Sequence, residues 1–308
     1  MTDELDSEHA PMDLRPLLVT LLGIALLVGL AILAPIAFPR LTLPLLVAAS
    51  AGLGLVFWGA GYLFAIRHAP LKWKLGSLAA LVGAGALAGL AADRLYHAGA
   101  STDASSFAEA EVSPGGTINM PRGATGRGPV SKRFVAFQEE AAAAQRDYGK
   151  ALGKLQFASL TNPYALEEDP AVLENCGAIA AFKPKADEYA AKTRERIAAM
   201  TQAIAASNFT EALKQGATKM AVVPGFDDGA AARDAELLAT GEALCRLLAK
   251  RSWRNIGGYF AFSGGDGAEY RKLMDRLVGV AGAARKAQMA SYDRIVEGQE
   301  QVRDALAR

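Results

Sequence analysis

The first third of the chain contains three long apolar stretches. Residues 17–38, 41–66 and 75–92 contain no Asp, Glu, Lys or Arg. A bilayer core about 30 Å thick is crossed by about 20 helical residues, so each stretch predicts a transmembrane helix. One such stretch could be a buried core helix, but three in close succession favour a membrane anchor over residues 17–96, in contact with the lipid bilayer. Residues 1–16 then form a short tail, whose five acids and single base are unlike the basic start of a cleaved signal peptide.

The distribution of basic residues predicts which side of the membrane each segment faces, because cytoplasmic segments carry an excess of Lys and Arg near helix ends. A short basic connection, IRHAPLKWKLG at residues 66–76, lies between the second and third apolar stretches. Placing it in the cytoplasm gives four basic residues inside (Arg15, Arg67, Lys72 and Lys74) and two outside (Arg40 and Arg94). The amino terminus is then cytoplasmic. The Ala-, Gly- and Arg-rich composition is typical of bacteria, so we expect a multi-pass inner-membrane protein whose carboxy-terminal domain is periplasmic or extracellular.

Two glycines in the third apolar stretch predict close helix packing. Gly85 and Gly89 lie four residues apart, a spacing that lets helix backbones approach each other in lipid. We expect them to pack within the three-helix anchor, with a dimer interface as the alternative. The three stretches contain no charged side chain of the kind that proton and substrate pathways use, which argues against a transporter or pump.

Residues 97–129 are rich in Gly, Ala, Ser, Thr and Pro and contain few large apolar side chains. Such a composition buries too little surface to compensate for the entropy of ordering, so it predicts a flexible linker. As a random coil, about 33 residues would reach roughly 30 Å and hold the following domain clear of the bilayer.

From residue 130 to residue 308 the apolar positions follow a helical spacing. Steps of three and four residues recur in segments that begin near Phe134, Ala186, Leu238 and Leu273, and no long alternating pattern indicates strands. We therefore predict an all-α protein, with three transmembrane helices followed by a soluble antiparallel helical bundle over residues 130–308. A parallel coiled coil, which would make a homo-oligomer, is the alternative. The predicted buried stripes include Tyr148, Gly241, Leu277, Val280 and Ala284.

Cys176 and Cys245 are the only cysteines, and both fall on stripe positions of the predicted bundle. In an oxidising compartment an even pair suggests one disulfide, which here would close a loop of about 70 residues. The alternative is two small buried residues, because free Cys packs as a small hydrophobe.

The bundle segment lacks the residues that most catalytic and metal sites need. The chain's three histidines are His9, His68 and His97, which excludes Cys/His zinc sites and Ser–His or Cys–His pairs in residues 130–308. Acidic runs at residues 167–169 and 227–228 precede predicted helices, where the helix dipole favours negative charge, so we interpret them as caps. From residue 97 onward 27 Lys and Arg face 26 Asp and Glu, which disfavours nucleic-acid binding. We therefore expect no catalytic residue, no cofactor and no metal site.

One stretch of the bundle segment is a candidate contact site. Residues 253–267, WRNIGGYFAFSGGDG, place Trp253, Tyr259, Phe260 and Phe262 between glycine pairs at an interhelical connection. These aromatics either fold back to plug the end of the bundle or form an exposed loop. An exposed loop would contact a partner, a ligand or the bilayer surface.

Three functional hypotheses follow from the sequence. The first is a membrane-anchored binding or scaffolding module of the bacterial cell envelope, not an enzyme, whose partner is an envelope protein or a small ligand held between helices. The second is a sensory input domain, which would need a partner because its cytoplasmic segments are too short to signal. The third is an envelope enzyme that uses carboxylates alone, which requires two carboxyls about 5–10 Å apart in a cleft.

Overall fold

The computed structural model describes residues 15–38, 41–64 and 66–308. These residues are mainly helical, so the all-α prediction is confirmed. The chain divides into two compact units, an amino-terminal unit of residues 1–101 and a carboxy-terminal unit of residues 102–308. Most of the predicted amino-terminal tail lies outside the described residues.

The amino-terminal unit contains the three apolar stretches as helices. They are α1 (Arg15–Ala37), α2 (Leu43–Phe64) and α3, which starts at Leu71 and ends at Ala108 in the other unit. All three are long and apolar enough to cross a membrane, as predicted. Leu27, Leu46 and Leu81 are buried where the helices meet, whereas many other leucines are exposed. An apolar surface of this extent is typical of helices that face lipid.

Small residues bring α2 and α3 into close contact. A Cβ atom on Gly85 would clash with the carbonyl oxygen of Ser50, and one on Gly89 would lie 2.9 Å from the Cα atom of Val47. From the other side, a Cβ atom on Gly54 would clash with the carbonyl oxygen of Leu81. The glycine spacing in the third apolar stretch therefore lies at a contact between helices of the same chain.

The structure corrects the prediction of a flexible linker at residues 97–129. Helix α3 continues to Ala108, and a short hairpin follows, in which β1 (Glu111–Val112) pairs antiparallel with β2 (Ile118–Asn119). Phe107 is fully buried and Ile118 nearly so. The segment has few apolar side chains, but distant parts of the chain hold it: the amide nitrogen of Gln299 donates hydrogen bonds to the carbonyl oxygens of Phe107, Ala108 and Ala110. Composition alone does not reveal such a partner.

A buried aspartate joins the end of α3 to the next helix, α4 (Pro129–Gly153). The carboxylate of Asp103 accepts hydrogen bonds from the backbone nitrogens of Val130 (2.9 Å) and Ser131 (2.8 Å). The hydroxyl of Ser131 donates in return to the carbonyl oxygen of Asp103 at 2.7 Å. Asp103 thus caps the first turn of α4, as an N-cap residue does, although it lies more than 25 residues earlier in the sequence.

The rest of the carboxy-terminal unit contains six further α-helices, three short 3-10 helices and one further hairpin. Prolines mark two helix starts, because Pro163 and Pro184 each lie in a first turn. Helix α4 ends at Gly153, and the side chain of Asn162 caps the next helix. The remaining elements are α5 (Pro163–Glu168), α6 (Gly177–Ala181), α7 (Lys183–Ala205), α8 (Glu211–Met220), α9 (Ala230–Ala249), β3 (Trp253–Ile256), β4 (Tyr259–Phe262) and α10 (Asp266–Ala307).

The long helices of this unit pack against one another in a chain of pairs. Helix α4 contacts α7, α7 contacts α9, α9 contacts α10, and α10 contacts α8. Phe107, Phe134, Phe137 and Phe209 form an aromatic cluster at one place in the core. A second core cluster surrounds Cys176 and Cys245.

Candidate ligand-binding cleft

The two cysteines form a disulfide, as one of the two alternatives predicted. Cys176, just before α6, is bonded to Cys245 of α9, with 5.5 Å between their Cα atoms. Both are buried, and Leu160 and Leu244 belong to the same core cluster. The disulfide therefore links α9 to the segment that precedes α6.

The aromatic stretch that the sequence placed in an interhelical connection is a β-hairpin. Gly257 and Gly258 form the turn between β3 and β4, and both have positive φ angles (60° and 87°). The side-chain oxygen of Asn255 accepts a hydrogen bond from the nitrogen of Gly258 at 3.0 Å. A Gly-Gly pair between two short aromatic and apolar runs is a known hairpin signal, so the sequence contained the information.

The hairpin divides the four predicted contact residues into two groups. Trp253, Phe260 and Phe262 face inward, contact one another or Tyr270, and pack on the disulfide core cluster. Tyr259 is 78% exposed at the tip. Three of the four aromatics thus pack on the core, and Tyr259 is the exposed one.

The acidic runs make local contacts in the structure. Asp227 accepts a hydrogen bond from the nitrogen of Gly229 and pairs with Arg233 at 2.6 Å, and Glu167 accepts from the side chain of Asn255. In the described part of the chain, no group of three His, Cys, Asp or Glu side chains is placed to hold a metal ion.

The carboxy-terminal unit contains an open cleft of about 1090 Å³. Its lining residues come from α4, α7, α9 and α10 and from the segments at residues 115–117, 157–161 and 224–226. Leu277, Val280 and Ala284 of α10 line it, although the sequence predicted them to be buried. Leu273 and Ala287, on either side of these positions, are buried, but Leu277 and Val280 are only half-buried and Ala284 is exposed. The predicted apolar stripe of α10 is therefore buried at its two ends but exposed to the cleft in its middle.

A tyrosine and an aspartate meet at the centre of the cleft. The hydroxyl of Tyr148 donates a hydrogen bond to Oδ2 of Asp234 at 2.9 Å. The ring of Tyr148 also stacks on that of Tyr189, with 4.3 Å between centroids and 6° between planes. Burial raises the pKa of Asp234, while the Tyr148 hydrogen bond and the charge of Arg233 act in the opposite direction.

The tyrosine of this pair is a hydrogen-bond donor. Burial, followed by the charge of Asp234, raises the pKa of Tyr148 far above its ordinary value, so the hydroxyl keeps its proton. Asp234 is the one carboxylate among the described residues that line the cleft. The two carboxyls that a carboxylate-only mechanism needs are therefore not found together here.

One end of the cleft is polar. Arg233 donates to the carbonyl oxygen of Gly225 at 2.9 Å and pairs with Asp227. Gln288 donates to the carbonyl oxygen of Gly115 at 3.3 Å. Arg285 lies on α10 one turn before Gln288 and also lines the cleft, and no acidic side chain pairs with it within the described ranges.

The other end of the cleft is apolar. Phe157, Leu160, Leu244 and Leu277 line it, and all four belong to or pack against the disulfide core cluster. Between the two ends, α10 contributes only the small side chains of Ala281 and Ala284 beside Val280. The cleft is therefore amphipathic along its length.

Sequence reasoning did not identify the pair at the centre of the cleft. The helical spacing predicts Tyr148 only as a member of a buried stripe. Asp234 lies four residues before Leu238, so it continues the predicted stripe of α9 toward its amino terminus. A carboxylate in register with buried positions is unusual, and this signal could have indicated the cleft.

No protein-family model matches the chain, and neither a curated protein nor a solved structure matches it. The functional argument therefore depends on the geometry of the cleft.

Proposed function

We propose that this protein is a membrane-anchored binding module of the bacterial cell envelope. The three apolar helices anchor it, and the carboxy-terminal unit acts as a helical bundle outside the cytoplasm that holds a ligand in the cleft between α4 and α10. The cleft itself is the observation that carries this proposal. Binding pockets for small molecules usually measure about 300–1,000 Å³ and combine apolar walls with a few polar groups, as this cleft does.

Two observations support the extracytoplasmic position. Four basic residues on one side of the three spans against two on the other favour a cytoplasmic amino terminus. The disulfide between Cys176 and Cys245 is of a kind that persists in oxidising compartments and is rare in the cytosol.

A cross-linking experiment tests the use of the cleft. A photoreactive amino acid is placed at Ala281, which lines the cleft, or at Ala283, which is exposed on the same helix but does not line it. In intact cells we expect a defined adduct from position 281 and none from position 283. Equal adducts from both positions, or none from position 281, would refute the proposal.

A reporter fusion tests the topology separately. A reporter that is active only outside the cytoplasm, fused after Arg308, should be active. A reporter active only in the cytoplasm should be silent at the same position. The opposite pattern would place the carboxy-terminal unit in the cytoplasm.

A further inference from the structure

The charges around the cleft leave one cation uncompensated. Arg233 is balanced by Asp227 at 2.6 Å. Asp234 already accepts a hydrogen bond from Tyr148, and the positive charge of Arg233 stabilises its carboxylate. Arg285 has no such partner among the described residues. Moreover, α10 contains no acid between Arg276 and Tyr292 to compensate it.

The apolar end lies a short distance from this cation. Leu277 and Arg285 are eight residues apart on α10, which corresponds to roughly 12 Å along the helix axis. The wall between them consists of half-buried Val280 and the small side chains of Ala281 and Ala284, so nothing bulky on α10 interrupts it. The apolar path is long enough for an alkyl chain.

We propose that the cleft binds a single-chain amphipathic anion, with its alkyl chain on the Leu277 side and its carboxylate or phosphate at Arg285. This inference rests on the proposed function, because it names the ligand class of the same cleft. A fatty acid and a single-chain phospholipid share this chemistry. An organic cation held by Asp234 is the competing chemistry, and it is disfavoured because Tyr148 and Arg233 already stabilise that carboxylate.

The test uses the full-length protein in lipid nanodiscs without free detergent. Titration calorimetry compares dodecanoate and dodecyl phosphate with dodecanol, dodecyltrimethylammonium and inorganic phosphate. We expect both anions to bind about tenfold more tightly than the alcohol or the cation, because a guanidinium–anion hydrogen bond is charge-assisted. Shortening the chain should weaken binding about fourfold per methylene. The ratio of dodecanoate to dodecyl phosphate affinity distinguishes a fatty acid from a phospholipid headgroup.

Matched variants locate the two ends of the ligand. Arg285→Gln should remove the tenfold preference for anions and leave dodecanol binding unchanged, whereas Lys286→Gln, which does not line the cleft, should change neither. Ala281→Trp should abolish binding of every amphiphile, and Ala283→Trp should not. Thermal unfolding by circular dichroism checks that each variant is folded.

Three results would overturn the inference. Tighter binding of the cation would mean that Asp234 selects the ligand. Binding of inorganic phosphate that does not strengthen with an alkyl chain would mean an adventitious ion only. If no amphiphile binds but a protein is cross-linked at position 281, the lipid-like ligand is refuted and the binding-module proposal stands. If no amphiphile binds and no adduct forms at position 281, the ligand class and the binding-module proposal are both refuted.

Discussion

Helix α10 contains two segments with the same apolar spacing and different surroundings. In the closed segment, residues 287–302, Ile295 and Val302 are buried. In the open segment, residues 277–285, the stripe residues line the cleft and are at most half-buried. The closed segment packs against α8, and the open segment faces α4 across the cleft. Spacing thus determines which face of the helix is apolar, whereas the neighbouring helix determines whether that face is sealed.

Glycine explains how the closed segment is sealed. A Cβ atom on Gly298 would lie 2.6 Å from the carbonyl oxygen of Gly216 and 2.8 Å from the Cβ atom of Lys219. Helix α8 can therefore approach α10 only because both helices lack a side chain at the crossing. In the open segment, by contrast, a Cβ atom on Gly282 would meet nothing within 4 Å.

The largest expected effect comes from filling the glycine crossing. Gly298→Leu should push α8 away from α10 and lower the free energy of unfolding by about 3 kcal/mol, because backbone cannot move aside as a side chain can. Gly282→Leu should change it by less than about 1 kcal/mol, and could raise it because Leu favours helix over Gly. Chemical unfolding of both full-length variants checks this, and equal losses would contradict the distinction between the segments.

A pair of valines gives a smaller and more direct comparison. Val302 is 1% exposed in the closed segment, whereas Val280 is half-buried in the open one. Val302→Ala should cost about 2 kcal/mol, because it leaves a cavity, and Val280→Ala about 0.5–1 kcal/mol, because it only widens the cleft. If Val280→Ala proves as destabilising as Val302→Ala, the cleft is closed in solution.

The sequence predicts periodic features well and contacts between distant segments poorly. The apolar runs at residues 17–92 and the stripe of α10 follow from spacing, which is a local property. The order at residues 102–129 depends on Gln299, 192 residues beyond Phe107, and the closed segment depends on Gly216 opposite Gly298. The exposure of the middle of α10 depends on how the neighbouring helices pack around it, which no pattern within α10 encodes.

The hydrogen bond at the centre of the cleft predicts a further, smaller effect. Tyr148→Phe removes the donor to Asp234 and leaves the stacked ring in place. We expect a loss of about 1 kcal/mol in the free energy of unfolding, the usual net value of one such bond. Tyr259→Phe, at the exposed hairpin tip, should change stability by less than about 0.5 kcal/mol. A loss at Tyr259 that equals the loss at Tyr148 would show that the Tyr148–Asp234 bond contributes nothing specific.

The smallest expected effect is a dependence on pH that differs in sign between two aspartates. Burial raises the pKa of Asp234 above its ordinary value of 3.8, so the folded protein binds this proton more tightly than the unfolded chain. The stability that Asp234 contributes is therefore full below pH 3.8 and is lost as the pH rises through the raised pKa. Asp266, at the start of α10, has its pKa lowered by hydrogen bonds from Ser252 and Lys250. Its contribution is present above its ordinary value and is lost as the pH falls.

Comparison with asparagine variants isolates each aspartate, because all other titrating groups cancel in the difference. The free energy of unfolding of the natural protein minus that of Asp234→Asn should decrease from about pH 3.5 to pH 7, whereas the same difference for Asp266→Asn should increase. Chemical unfolding of the full-length protein across this range provides both curves. Two increasing curves would mean that the Tyr148 hydrogen bond and the charge of Arg233 stabilise the Asp234 carboxylate by more than its burial costs. The distinction between the two segments of the helix would then rest on packing alone.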